Sequence, residues 1–271
     1  MMTGLSLRGS LWLLGAGNMG GAMLRGWIAA GADPALITVI DPFVERIPEG
    51  VTLLRHLPDG DAQPDTLVLA VKPQQLGAVR DAFAAKPGAP RLILSILAGV
   101  ECSTLSSALS ARMTVRAMPN LPVSIGEGVT ALFSIDADED ARNEASALLT
   151  PLGLIEWIGD EALFDAVTAL SGCGPGFLFR FIDAMAAAGV ALGLPADQAG
   201  RLAVATVKGS GLLAAQSDES PAVLADRVAS PGGSTREGLN VLDADDALKR
   251  LLRDTLAAAA KRNGELAAAA R

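Results

Sequence analysis

The stretch Leu11–Leu24, "LWLLGAGNMGGAML", joins an apolar run to Gly15, Gly17 and Gly20 in G-x-G-x-x-G spacing and then to a helical pattern. Consecutive apolar residues that stop at a glycine suit a strand buried on both faces. In that context each glycine has its own role. Gly15 permits a tight turn, Gly17 lets the backbone approach a pyrophosphate, and Gly20 lets the helix lie close to the strand. Ala16, Asn18 and Met19 fall where a helix N-terminus offers unpaired N–H groups and partial positive charge to an anion. The stretch predicts a dinucleotide site rather than a merely structural turn.

The next apolar run, "LITVID", ends in Asp41, 21 residues after Gly20. That spacing suits a carboxylate on the adenosine ribose. A carboxylate there favours the two hydroxyls of NAD and repels a 2′-phosphate, whereas Arg46 is near enough in sequence to compensate. NADH against NADPH therefore stays open, and Asp41 also reads as a plain turn residue before Pro42. Further runs follow at helix-length intervals: "TLVLAVK", "RLILSIL", "MTVRAM", "VTALFSI" and "LIEWI". They predict buried parallel strands in an α/β layer fold. Ligands gather at the carboxyl ends of such strands, which places Ala70, Val71, Lys72 and Pro73 and the loop Leu97, Ala98 and Gly99 beside a cofactor. Lys72 alone reads equally well as a surface lysine closing a strand.

From Glu161 onward the β-branched runs stop, and Ala, Leu and Gly dominate segments of helical length, roughly 161–191, 195–216, 220–228, 235–242 and 245–270. The predicted organisation is an α/β Rossmann-like domain over residues 1–159 and an all-α domain over 160–271. Alanine faces permit close backbone approach, so the helical part is a candidate dimer surface, although packing within one chain would use them as well.

Half of the residues are hydrophobic and the formal net charge is -8. That is ample for a core, and it disfavours a nucleic-acid partner, which needs a positive face. A small-molecule substrate fits better. The two cysteines lack zinc-type spacing, and a reducing, cytoplasmic setting is expected. No run of 18 apolar residues lacks glycine or charge, so no membrane span is expected, and the apolar run near Arg8 is too short for a signal peptide.

The single histidine, His56, follows the second strand on the adenosine side and reads as a surface residue; there is no tyrosine. Histidine acid/base chemistry, a tyrosine-based carbonyl reductase and a metal site are all disfavoured. Attention shifts to Val228–Asp243, "VASPGGSTREGLNVLD", where Gly232 and Gly233 precede Ser234 and Thr235 at the first turn of a predicted helix. Free N–H groups there suit a substrate carboxylate. The plain alternative is an N-cap in which Ser234 serves its own helix.

The blocks "GAGNMGGAML", "AVKPQ", "AGV", "RAMPNLP", "AVTALSGCGPGF" and "LADRVASPGGSTREGLNVLD" occur in order between residues 13 and 243. Together they resemble the pyrroline-5-carboxylate reductase family, the last block most specifically. The resemblance implies NADPH- or NADH-dependent reduction of 1-pyrroline-5-carboxylate to L-proline, the last step of proline biosynthesis. It also implies a helical domain that dimerises and completes the substrate pocket, with rings of dimers as a larger form. On this reading Thr235 is the catalytic contact to the imine nitrogen, Gly233 and Ser234 hold the carboxylate, Asn120 lies near the nicotinamide, and Glu161 is a further substrate contact. Cys173, Gly176 and Phe177 replace the usual Ser, Ala and Tyr, and Leu121 replaces a common Thr, which alters pocket shape more than chemistry. A reductase of a related cyclic imine or keto acid, or a non-catalytic NAD(P)-binding regulator, are the alternatives.

Overall fold

Eight strands form one sheet in the order β3-β2-β1-β4-β5-β6-β7-β8, seen in a computed structural model that describes residues 4–269. They are β1 (Leu11–Leu14), β2 (Ile37–Ile40), β3 (Thr52–Leu54), β4 (Thr66–Leu69), β5 (Leu92–Ser95), β6 (Met113–Pro119), β7 (Gly128–Phe133) and β8 (Gly153–Trp157). Every residue of β1, β4 and β5 is buried, as continuous apolar runs demand when both faces are covered. On one face α1 (Asn18–Ala29) and α4 (Glu139–Leu149) pack over Leu11, Leu13 and Val68. Trp27 of α1 is fully buried and donates its indole N–H to the Leu148 carbonyl of α4 at 2.7 Å, so its one polar group is satisfied. On the other face α2 (Leu76–Ala84) and α3 (Cys102–Leu109) bring Val79, Phe83, Leu105 and Leu109 onto Trp12, Leu14 and Leu67. Each such buried side chain contributes about 1.5–3 kcal/mol relative to exposure.

Two features differ from the sequence expectation. The three-residue β3 lies at the sheet edge, partly exposed, and its brief run carries no periodicity to read. Strand β7 runs antiparallel to β6, although the other pairings are parallel. Only residues 120–127 connect the two, and a parallel crossover needs a dozen residues or more.

The chain packs as two units, residues up to 172 together with those from 260, and residues 173–259. These units divide at 172/173, whereas the composition change lies at 159/160. Phe164, in α5 (Phe164–Val167), is buried with Met118 and Ala131, and the π-turn Thr168–Gly172 continues it, so both belong with the sheet. The end of α10 (Ala247–Ala269) returns to the same unit.

In the helical unit α6 (Gly174–Ala191) packs along α7 (Ala196–Gln216), followed by α8 (Pro221–Arg227), α9 (Ser234–Asp243) and the first half of α10. Its helices match the predicted segments closely. No residue of α6 is buried, and Leu178, Phe179, Phe181 and Met185 are exposed. The continuous helical run Glu161–Ala191 is long and apolar enough to cross a bilayer by length and composition.

Candidate functional site

The strand order reverses between β1 and β4, and the loops that follow β1, β2, β4, β5 and β6 share the carboxyl edge of the sheet. Gly15 has φ +89°, and a Cβ there would stand 2.6 Å from the Ala70 carbonyl oxygen. A Cβ on Gly20 would stand 2.2 Å from the Gly15 oxygen, so this glycine alone lets α1 approach the turn. At Gly17 a Cβ would meet nothing within 4 Å, and that open side is where a pyrophosphate can reach the backbone. Gly17 is also the N-cap of α1, with no side chain closing the helix end. Asn18 is exposed at the first helical position, Ala16 is buried beneath the turn, and Met19 packs partly into the core. The residues present fit a dinucleotide.

Asp41 is placed at the end of β2, but its carboxylate is already engaged. It accepts N–H bonds from Ala16 at 2.8 Å, Phe43 at 2.8 Å and Val44 at 3.0 Å. Burial pushes its carboxyl pKa up, yet these three donors and the nearby Arg55 outweigh burial and hold it below the ordinary value. Of about four acceptor positions on a carboxylate, one remains for a ribose hydroxyl. The principal structural role of Asp41 is to tie the β2 loop to the glycine turn.

After β4, Ala70 donates its N–H to Leu14 at 2.8 Å, and Lys72 and Gln75 close the Pro73–Gln75 turn through bonds of 3.0 and 2.9 Å. The Lys72 side chain is exposed, and Val71 packs partly against the core. After β5 the Leu97 side chain is buried, so only its backbone can face a cofactor; Ala98 is exposed, and Gly99 has φ +75°. A Cβ on Gly99 would lie 3.1 Å from Ala267 Cα, because the end of α10 covers this loop. At the end of β6, the Asn120 carboxamide accepts from the Val129 N–H at 2.8 Å and donates to the Ser171 carbonyl at 3.0 Å. It braces the strand end against the π-turn and keeps one N–H unused.

Glu161, for which the resemblance implies a substrate contact, bonds to the protein through one carboxylate oxygen. Its Oε1 accepts from the Cys102 N–H and from Arg116 Nη1, both at 2.9 Å, which pins the start of α3 to β6. The Arg116 guanidinium lies 4.2 Å from the centre of the Phe164 ring. This partly buried ion pair was missed by sequence reasoning, and the lone charge inside the apolar run "MTVRAM" was its available signal. Burial, then the Glu161 charge, pushes the neighbouring Cys102 thiol up to about 12. His56 is exposed after β3, away from any such network.

The helical unit holds the second group of expected residues. Between α8 and α9 the chain turns through Gly232, at φ +69°, and through Gly233, where a Cβ would stand 2.6 Å from Ser230 Oγ. The two glycines therefore meet two separate demands, one of backbone sign and one of space. Gly233 is the N-cap of α9, and no side chain caps the helix. Ser234 and Thr235 are exposed on the first turn, and neither hydroxyl has a protein partner among the described residues. The capping alternative for Ser234 is excluded by that geometry. What remains is a helix end with free N–H donors and two adjacent hydroxyls, suited to a carboxylate and a second polar atom. Arg236 donates to Asp226 at 2.8 Å and fixes the turn from behind.

Comparison with known proteins agrees with both halves. Residues 161–266 match a family model described as pyrroline-5-carboxylate reductase dimerisation, and residues 10–99 match one described as NADP oxidoreductase coenzyme F420-dependent. A pyrroline-5-carboxylate reductase of Pseudomonas aeruginosa is 36% identical over 94% of this chain and 95% of its own length. The soybean (Glycine max) enzyme is 33% identical over 95% and 96%. The structure of a pyrroline-5-carboxylate reductase from Coxiella burnetii superposes with TM-score 0.89 at 32% identity, covering 96% of this chain and 99% of that one. The Plasmodium falciparum enzyme with NADP bound gives TM-score 0.78 at 26% identity, covering 96% and 98%. A strand-end glycine turn, an uncapped Ser-Thr helix start and relatives of this extent lead to one conclusion: the chain belongs to the pyrroline-5-carboxylate reductase family.

Proposed function

We propose that this chain reduces 1-pyrroline-5-carboxylate to L-proline with NADPH or NADH, the closing step of proline biosynthesis. The observation that carries the reading is the open start of α9, where the Ser234 and Thr235 hydroxyls and the first-turn N–H groups have no protein partner among the described residues. Such a helix end binds a carboxylate without a cationic side chain. The N–H groups of the first turn and Ser234 take the substrate carboxylate, and the Thr235 hydroxyl takes the ring nitrogen.

The reduced nicotinamide, when bound, supplies a hydride to C5 of the ring. A cyclic imine is protonated in water, and the iminium accepts that hydride while its nitrogen keeps the proton, giving the secondary amine. No strong acid is then required of the protein, which accords with a chain holding one histidine and no tyrosine. What the protein must supply is orientation. The carboxylate is fixed at one end of the ring and the nitrogen by Thr235, which leaves C5 as the exposed electrophile. The loops at Gly15–Gly20, Ala70–Pro73 and Leu97–Gly99 hold the cofactor, and the Asn120 brace keeps the end of β6 in place.

The working form is a homodimer through the exposed apolar faces of the helical unit, assembled in some members into rings. Burial of those faces also accounts for the apolar Glu161–Ala191 run without a bilayer. Two free cysteines suit a reducing cytoplasm. The test is oxidation of NADPH and NADH followed by absorbance with the five-membered imine acid, its six-membered homologue and a small keto acid. Turnover with the five-membered ring at least tenfold above the others supports the reading, and no turnover with any would return the chain to a regulator.

A further inference from the structure

A charged side chain that enters a sheet core needs a partner for each of its polar atoms. Arg116 of β6 is 5% exposed, and Glu161 answers its Nη1, but its Nε–H is buried with no protein partner among the described residues. Arg116 also lines a cavity of about 50 Å³ whose other polar walls are Asp165, Thr168 and Asn263, with Gly99 and Leu266 beside them. Strand β6, the β5 loop, α5 with its π-turn and the returning end of α10 therefore meet at one point inside the sheet unit.

The other polar groups there are uncommitted too. The Asp165 carboxylate and the Thr168 hydroxyl have no hydrogen-bond or ion-pair partner among the described residues. Asn263 spends one N–H on the Asp165 backbone carbonyl, at 3.4 Å, and keeps the rest of its carboxamide. At the next position, a Cβ on Gly264 would stand 3.3 Å from Asp165 Oδ2, so the bare backbone of α10 leaves room for that carboxylate.

The charges decide what such a cavity takes. Glu161 already matches the Arg116 guanidinium, and Asp165 adds an unmatched negative charge, so a buried anion is repelled. A cation fails from the other side, because the Nε–H can only donate. A neutral molecule that accepts at one end and donates at the other meets both demands, and the space suits roughly one or two water molecules.

We propose that this cavity is a buried-water site, in which water accepts from Arg116 Nε–H and donates to the Asp165 carboxylate. The bridge ties β6 to α5 and, through Asn263, to the end of α10 beneath the β5 loop. This inference goes beyond the proposed reaction and does not depend on it.

A high-resolution crystal structure of the wild-type chain shows an ordered water about 2.7–3.2 Å from Arg116 Nε with a second polar partner in the cavity. Crystals soaked in bromide and in rubidium, both anomalous scatterers, show no peak there. A peak from either ion, or an Nε–H facing no solvent density, overturns the proposal. Hydrogen exchange reads the same bridge in solution at the Leu97 and Val100 amides, which bond within the β5 loop. Asp165→Leu removes the acceptor and quickens exchange at both amides by about tenfold or more, while β1 keeps wild-type protection. Asp165→Asn keeps an acceptor oxygen and stays within about threefold of the wild type. Should Asp165→Leu fail to fold, Thr168→Val removes one partner of the water and quickens the same two amides to a smaller degree. Wild-type exchange in the folded variant, or equal quickening in Asp165→Leu and Asp165→Asn, overturns the bridge.

Discussion

In the sheet unit the side chains of β1, β4 and β5 are all inside, and the polar groups at Asp41, Asn120 and Glu161 are bonded to backbone or to Arg116. In the helical unit α6 has no buried residue, α7 buries only Ala199 and Ala203, and two hydroxyls at the start of α9 have no partner among the described residues. One region has met most of its packing and hydrogen-bonding demands within a single chain, with Gln63 Oε1 and Arg116 Nε left buried without a partner. The other keeps apolar faces and polar donors in reserve. Exposed apolar surface of this extent marks association, and uncapped donors mark a ligand. The contrast sets a layer structure whose central strands are closed in against a helical unit whose apolar and polar groups are left open.

The largest expected effect removes one reserved donor. Thr235→Ala lowers kcat by roughly 10²–10³, the usual cost of losing one preorganised polar contact to a reacting centre. Cofactor affinity by fluorescence titration and Tm stay near wild type, and Thr235→Ser recovers much of the rate. If Tm falls and kcat does not, α9 holds a structural turn and nothing more.

The apolar reserve breaks next. Phe181→Glu places a charge on the exposed α6 face and opposes burial otherwise worth about 1.5–3 kcal/mol per side chain in each chain. Light scattering reads a monomer, and NADPH binding by the sheet unit survives. A dimer unchanged in mass would show that another face joins the chains.

Two glycines sharpen the contrast inside the sheet unit. Gly20→Val forces a side chain into the 2.2 Å approach to the Gly15 oxygen and destabilises by about 1–3 kcal/mol or more. Gly17→Val meets open space, so its Tm is nearly unchanged while affinity for both cofactors collapses. Equal loss of Tm in the two variants would remove the distinction between packing and ligand approach.

Asp41→Asn has a smaller, pH-dependent effect. The folded-state pKa of Asp41 is depressed, so its contribution to stability is present above the unfolded carboxylate value near 4 and is lost as pH falls through the folded value. At pH 7 the variant melts about 2–4 °C lower, the shift expected for about 1 kcal/mol in a chain of this size, and the difference closes below pH 4. Smallest of all, Cys102, with its thiol raised to about 12, resists alkylation by iodoacetamide at pH 8 in the folded chain.

The parts of this molecule written in local sequence were the readable ones. Continuous apolar runs marked seven of the strands, and the helical segments after Gly174 stood within a few residues of their observed bounds. The spacing of Gly15, Gly17 and Gly20 between a strand and a helix was local and readable, whereas the Ala70 carbonyl that crowds Gly15 stands 55 residues away. Long-range features were not readable in that way. The Arg116–Glu161 pair joins residues 45 positions apart, and a composition change at Glu161 could not show that Phe164 returns to the core beneath Met118. The spacing of Asp41 correctly placed a carboxylate at the end of β2, but not the three N–H groups it would serve. The antiparallel pairing of β6 and β7 overturned the expectation of parallel strands, and the shortness of residues 120–127 was the signal that the run pattern overrode.

The covering of Gly99 by Ala267 has a consequence for how the protein is made. Translation delivers the eight strands first, then the whole helical unit, and only afterwards the segment from Ala260 that joins the sheet unit. At about 5–20 residues per second, a nascent chain spends several seconds with its glycine turn formed and the β5 loop bare on one side. Until Ala267 has left the ribosome tunnel Gly99 lacks the neighbour that covers it, and a chain truncated before that residue would leave the β5 loop bare on that side.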